Sequence, residues 1–180
     1  MSPNATPAVI DAAAALFARH GFARTSVQAV ADATGYSKAG LLHHFPTKAA
    51  LHDAVIEECK SEIERVRDRV ADLEPGPERD RRAIELLVDL SLARPGLASL
   101  LLSTIVPMGD DDVSRLDPLA DILFNAFDTA PVSDPRRIRV TGALVALSVL
   151  SLDARRCDSA SLWRNDIIAT SVDALGSPRD

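Results

Sequence analysis

Apolar residues recur along this chain at intervals of three and four rather than two, the period of helices packed on one side. Val9, Ala13, Leu16, Phe17 and His20 mark one stripe of a first helix, opened near Thr6-Pro7 and closed by Gly21. Thr25-Ser26-Val27-Gln28 has the form of a capping box, in which Thr25 covers the first free amides and Gln28 reaches back. The short helix it starts is expected to end at Gly35, where a left-handed residue is cheapest. Ser37 caps a second short helix, which runs to about Phe45 and is stopped by Pro46. Thr47 caps a third and much longer one, with Leu51, Val55, Ile63, Val66, Val70 and Leu73 along one side.

Beyond it, Glu74-Pro75-Gly76-Pro77 breaks the pattern, and a helix follows from about Pro77 to Arg94 with Ile84, Leu87 and Leu90 on one face. Pro95-Gly96 punctuates again. Leu97 to Val106 is so apolar that it is expected to be buried nearly all round. Residues 107–112 read as a loop, Leu116 to Phe127 as a helix that starts or kinks at Pro118, and residues 130–135 as a further break. Two helices close the chain, roughly Arg136 to Arg155 and Ser161 to Leu175. No strand pattern, internal repeat or low-complexity tract interrupts this. An all-α fold is predicted.

A chain of 180 residues with 47% hydrophobic content can bury a substantial core. Its uncharged stretches, Pro95 to Gly109 and Val140 to Leu152, fall short of the roughly 18–20 residues needed to cross a bilayer. The N-terminus lacks a basic region and carries Asp11 within its apolar part, so no signal peptide or membrane association is expected, and the protein is expected to be cytoplasmic. Cys59 and Cys157 have no metal or redox spacing and read as buried, inert thiols. The net charge of −6 argues at first against a nucleic-acid partner, but its distribution is uneven. Residues 1–50 carry +2, from Arg19, Arg24, Lys38 and Lys48 against Asp11 and Asp32, and the remainder carries −8. Three of the four histidines (His20, His43, His44) also lie in the first 50. If any segment favours a polyanion, it is the first.

Residues 25–45 describe two short helices joined by the turn Thr34-Gly35-Tyr36-Ser37. Val27, Val30 and Ala31 supply one apolar face; Ala39 and Leu42, with Leu41 open as a third, supply the other. This is the sequence form of a helix-turn-helix, whose second helix enters the major groove by its N-terminal end. Here that end offers Tyr36, Ser37, Lys38 and Gly40.

The run TSVQAVADATGYSKAGLLHHFPTK, Thr25 to Lys48, resembles the DNA-binding segment of the TetR family of transcriptional regulators, and AAAALFARHGFAR, Ala12 to Arg24, is similar to that family's first helix. The resemblance covers about residues 7–58 and is most specific from Gly35 to Lys48. It implies a helix-turn-helix DNA-binding domain over residues 1–50 and a helical effector-binding and dimerisation domain over residues 51–180. It also implies that Ser37, Lys38, Gly40 and His43 lie on the recognition helix, that Thr25 and Gln28 face phosphate, and that Lys48 neutralises another phosphate. Leu42 stands where the family commonly has an aromatic residue that contacts backbone phosphate, and Gly40 where threonine is frequent. Both departures give weight to Tyr36, Lys38 and His43.

The closing helices carry Ile138, Leu144, Val145, Leu147, Val149 and Leu152, then Leu162, Trp163, Ile167, Ile168 and Val172. This suits a four-helix bundle across a two-fold axis, with Leu144, Leu147, Trp163 and Ile168 at the interface of a homodimer; completion of the core of a single subunit is the alternative. The cluster between Ile84 and Phe127 is able to enclose an apolar pocket, which the resemblance implies binds a small effector, lined by Leu87, Leu90, Leu102, Met108 and Phe124, with Asp89 or Asp121 as an acidic contact. Core packing is the alternative for the same residues. No Gly-rich phosphate loop, HExxH, CxxC or Gly-x-Ser-x-Gly is present, so no enzyme, metal site or cofactor is expected. The expected function is a DNA-binding regulator, a repressor released from double-stranded operator DNA by a small molecule. A helical ligand-binding or adaptor protein with a weakened DNA-binding module is the alternative.

Overall fold

The computed structural model describes residues 5–106, 117–127 and 135–176, all in helices or the turns between them. The helices are α1 (Ala5–Arg24), α2 (Val27–Thr34), α3 (Lys38–His44), α4 (Lys48–Val70), α5 (Pro77–Ala93), α6 (Pro95–Ile105), α7 (Asp117–Asn125), α8 (Pro135–Arg156) and α9 (Ala160–Leu175). Met108 lies outside the described residues.

The helix ends follow local chemistry. α1 loses helical geometry at Gly21, whose φ of 76° and ψ of 162° turn the chain toward α2. Ser37 Oγ accepts the Gly40 amide and Thr47 Oγ1 accepts the Ala50 amide, each at 3.0 Å, so both predicted caps form. Gly35 adopts φ 71°, and the Tyr36 amide beyond it donates to the Ala31 carbonyl at 3.1 Å, closing α2 in a Schellman turn.

The capping box at α2 is corrected. Ser26, not Thr25, is the cap: its Oγ accepts the Ala29 amide at 3.0 Å. Thr25 is only 3% exposed, and its hydroxyl lies 2.8 Å from the Gly21 carbonyl and 3.2 Å from that of Leu16, turned back onto α1. Gln28 does not reach back; its Nε2 donates forward to Asp32 Oδ1 at 2.7 Å.

Val9, Ala13 and Phe17 of α1, Val30 and Ala31 of α2, and Leu41 of α3 form one apolar cluster with Leu51 and Val55 of α4. The α3 contribution also differs from expectation: Leu41 is fully buried, Leu42 half-buried and Ala39 exposed. The cluster continues without a gap into the body through Cys59, Ile63, Ile84, Leu97 and Leu144. α4, about 35 Å long at 1.5 Å per residue, spans both parts, and the division expected between residues 50 and 51 falls inside it. In the body, α8 and α9 pack on each other and together on α5, while α1 packs on α6 as well as on α4. Arg164 ties α9 to α5 through Asp89 at 2.6 Å. Arg136 joins Asp80 at 2.7 Å and donates to the Phe127 carbonyl, fixing the end of the segment after α7.

Candidate nucleic-acid interface

α3 is capped at Ser37 and anchored from beneath by Leu41, which leaves its outer side to solvent. Ser37, Lys38, His43 and His44 are exposed, Tyr36 and Leu42 half-buried, and the backbone at Gly40 carries no side chain between them. His43 and His44 meet edge to face with ring centroids 5.3 Å apart. They sit in the last turn of α3, where carbonyl dipoles favour positive charge. Gln28 is also exposed, on α2. The structure thus brings Gln28, Tyr36, Ser37, Lys38, Gly40, Leu42 and His43 onto the two short helices and their turn. Thr25 is not among them, because its hydroxyl and amide are both spent inside the module.

Lys48 has a role the sequence did not announce. Its Nζ donates to the Phe22 carbonyl at 2.8 Å and the Ala23 carbonyl at 3.1 Å, and lies 4.3 Å from the centre of the Phe22 ring. The first residue of α4 therefore closes the carboxyl end of α1. Phe22 lies largely outside the core, beneath this lysine and against His52, 4.7 Å away. His52 itself is buried, edge-on to Phe17 at 5.0 Å.

The residues expected at the dimer seam are corrected. Leu144 and Leu147 are 2% exposed and Ile168 4% exposed within the single chain, so they build the core of one subunit, and Trp163 packs half-buried against it. What α8 and α9 leave bare is a different set: Ile138 and Leu162 at 76% and Val149 at 52%. Ile138, the open Gly142, half-buried Val145 and Val149 follow one another at four, three and four residues, a continuous stripe on the outer face of α8. The sequence carried these residues in its apolar pattern; it held no signal for which of the two apolar faces is covered from within.

Of the residues expected at an effector pocket, Leu87, Leu102 and Phe124 lie in the packed core and Leu90 half-buried against it. Asp89 is exposed and held by Arg164, and Asp121 is exposed. An open cleft of about 540 Å³ lies elsewhere, between α1 and the start of α6, lined among others by Ala8, Asp11, Arg94, Gly96 and Arg155. The two thiols differ: burial pushes the Cys59 thiol up to about 12, with the Glu58 charge adding to it, whereas Cys157 is exposed, contrary to expectation. Among the described residues no group of three or more His, Cys, Asp or Glu is placed to hold a metal ion. Nor is any helix among them long and apolar enough to cross a membrane.

Residues 9–55 match the family described as bacterial regulatory proteins, tetR family. No curated protein matches the chain. Among solved structures, it is similar to the transcriptional regulator FadR from Bacillus subtilis in complex with stearoyl-CoA, at 15% identity and a TM-score of 0.59 over 92% of this chain and 97% of that one. It is similar also to the TetR-family regulator PfmR from Thermus thermophilus, at 19% identity and a TM-score of 0.57 over 96% of both chains. A third is AibR in complex with isovaleryl coenzyme A and operator DNA, at 23% identity and a TM-score of 0.56 over 97% of this chain and 100% of that one. The match falls on the helices that expose Ser37 to His43, and the shared fold extends over the whole body. Residues 9–55, which include α2 and α3, are therefore similar to the bacterial tetR family of regulatory proteins, and the chain as a whole shares the fold of the solved TetR-family regulator PfmR.

Proposed function

We propose that the protein is a dimeric, sequence-specific transcriptional repressor, with residues 1–50 as its DNA-binding domain and residues 51–180 as the domain that dimerises and receives an effector. The observation that carries this is α3: a helix capped by Ser37, with one buried leucine and an outer face of Lys38 and His43 around a bare Gly40, and with Tyr36 half-buried in the turn before it. A recognition helix inserts such a face into the major groove by its N-terminal end. Lys38 and His43 are the base-edge or phosphate contacts, and Gln28 approaches the backbone from α2. Dimerisation uses the stripe Ile138–Val149 with Leu162, since an apolar face of this kind on a soluble chain marks an interface. Two modules reading half-sites about 34–36 Å apart then supply the specificity one helix lacks.

The effector is an apolar acyl group, and coenzyme A thioesters are the first class to test, because two similar structures hold stearoyl-CoA and isovaleryl coenzyme A. A ligand that prefers the conformation with misplaced modules weakens DNA binding by its differential affinity, and DNA weakens the ligand equally. The test is a gel shift with the DNA flanking the gene, followed by calorimetric titration of a chain-length series of acyl-CoA with and without the bound duplex. Specific retardation is expected, with a loss of operator affinity of about 1–3 kcal/mol on adding the effective thioester, the usual scale of allosteric coupling. Absence of any specific shift overturns the DNA-binding proposal; equal thioester affinities in the two titrations overturn effector release.

A further inference from the structure

α1 is joined to the body at a second place besides α4, and the joint is built from residues none of the preceding roles use. α6 starts at Pro95 without a side-chain cap of its own. The cap comes from another helix: Asp11 Oδ1, on α1, accepts the Leu97 amide at 3.0 Å. A carboxylate there satisfies an otherwise free donor and meets the positive end of the α6 dipole. Arg94, at the corner between α5 and α6, closes the joint from the side. Its Nη1 lies 3.1 Å from Glu58 of α4 and 3.9 Å from Glu62, its Nε 3.8 Å from Asp11, and its Nη2 donates to the Pro7 carbonyl at 3.3 Å. Between them, Gly96 lets the two backbones touch; a Cβ at this position would overlap the Asp11 carbonyl.

We infer that this joint fixes the rotation of the DNA-binding module about α4, with Asp11 as the positioning residue. A single helical connection holds distance but leaves twist about its own axis; a second attachment on a different helix removes that freedom. Because α6 continues from the joint to Leu100–Leu102 and packs on α7 and α8, a shift of α6 reaches α1 without passing through α4. The inference rests on the proposal that α3 binds DNA, and its test separates the two.

Wild-type protein is used to select a duplex from a random pool. Affinities are then measured for the selected palindrome, for the same duplex with one base pair inserted between half-sites, and for a single half-site. Asp11→Ala is expected to reduce the discrimination between palindrome and insertion by about tenfold, since module spacing sets that discrimination. Half-site affinity is expected to stay within about twofold, because one module reads it alone. Asp11→Asn keeps an acceptor for the Leu97 amide and is expected to fall between wild type and Asp11→Ala. Gly96→Ala, which wedges the joint while leaving the carboxylate, is expected to follow Asp11→Ala. In DNA-free protein, hydrogen exchange at residues 97–100 is expected to quicken in Asp11→Ala while α8 stays protected. Unchanged spacing discrimination overturns the inference, as does an equal loss on palindrome and half-site, which would mark a structural role alone. If wild type selects no duplex, the DNA-binding proposal falls, and unchanged exchange at residues 97–100 then overturns the joint by itself.

Discussion

α3 and α8 both present a face to solvent, and the two faces are chemically opposite. α3 offers hydroxyl, ammonium and imidazole groups around a bare glycine, held up by one buried leucine. α8 offers Ile138, Gly142 and Val149, with a second apolar row, Leu144 and Leu147, turned inward. A polar face keeps its hydration until a charged partner replaces it; an apolar face is stabilised only by being covered. The difference teaches what kind of partner each face suits under the proposed function: a polyanion for the first, a like apolar face for the second.

The comparison is broken most severely by confusing the two rows of α8. Leu147→Glu places a charge inside one subunit and should destabilise the fold by about 4 kcal/mol or more, read by thermal denaturation. Val149→Glu or Leu162→Glu should leave helicity intact yet convert dimers to monomers in light scattering. A monomeric wild type would remove the proposed role of the outer row.

On the α3 side the effects are smaller. Lys38→Ala should weaken operator binding and relax discrimination by about 1–3 kcal/mol if it reads a base edge, with an unchanged melting temperature. His43→Ala should act in the same direction. Lys48→Ala sharpens the contrast, because its ammonium holds two α1 carbonyls. It should lower the melting temperature as well as DNA affinity, and reduce the salt slope by about 1 if the third donor meets phosphate. The smallest effect is chemical. At pH 8 a thiol reagent should modify Cys157 in the native protein and reach Cys59 only in denaturant, since the buried thiol stays protonated.

The residues that set the ends of α2, α3 and α4 in the sequence were local: Ser37 as the cap of α3, Thr47 as the cap of α4, Gly35 as the stop of α2 and Pro46 as the stop of α3. Thr25 and Ser26 were harder, being adjacent and both able to cap. Only the packing of Thr25 back onto α1, where its hydroxyl meets the Leu16 and Gly21 carbonyls, decides between them. α8 defeated the same method for another reason. Its apolar residues lie on two sides, so the period of three and four marks a helix without saying which row its own subunit covers. The Asp11–Leu97 contact joins positions 86 residues apart, and no pattern within either helix announces it.

Gly96 bears on how far this architecture can be recombined. Under the proposed function, an obvious experiment is to exchange residues 1–50 for the first domain of another regulator. Here a graft ending near residue 50 would bring a foreign α1 against the start of α6, at a point where two backbones touch. The donor helix would have to supply both an unobstructed carbonyl and an acceptor in the place of Asp11. If the body releases DNA on binding an effector as proposed, chimaeras that preserve this pair should keep that response, whereas those that lose it should bind DNA without it.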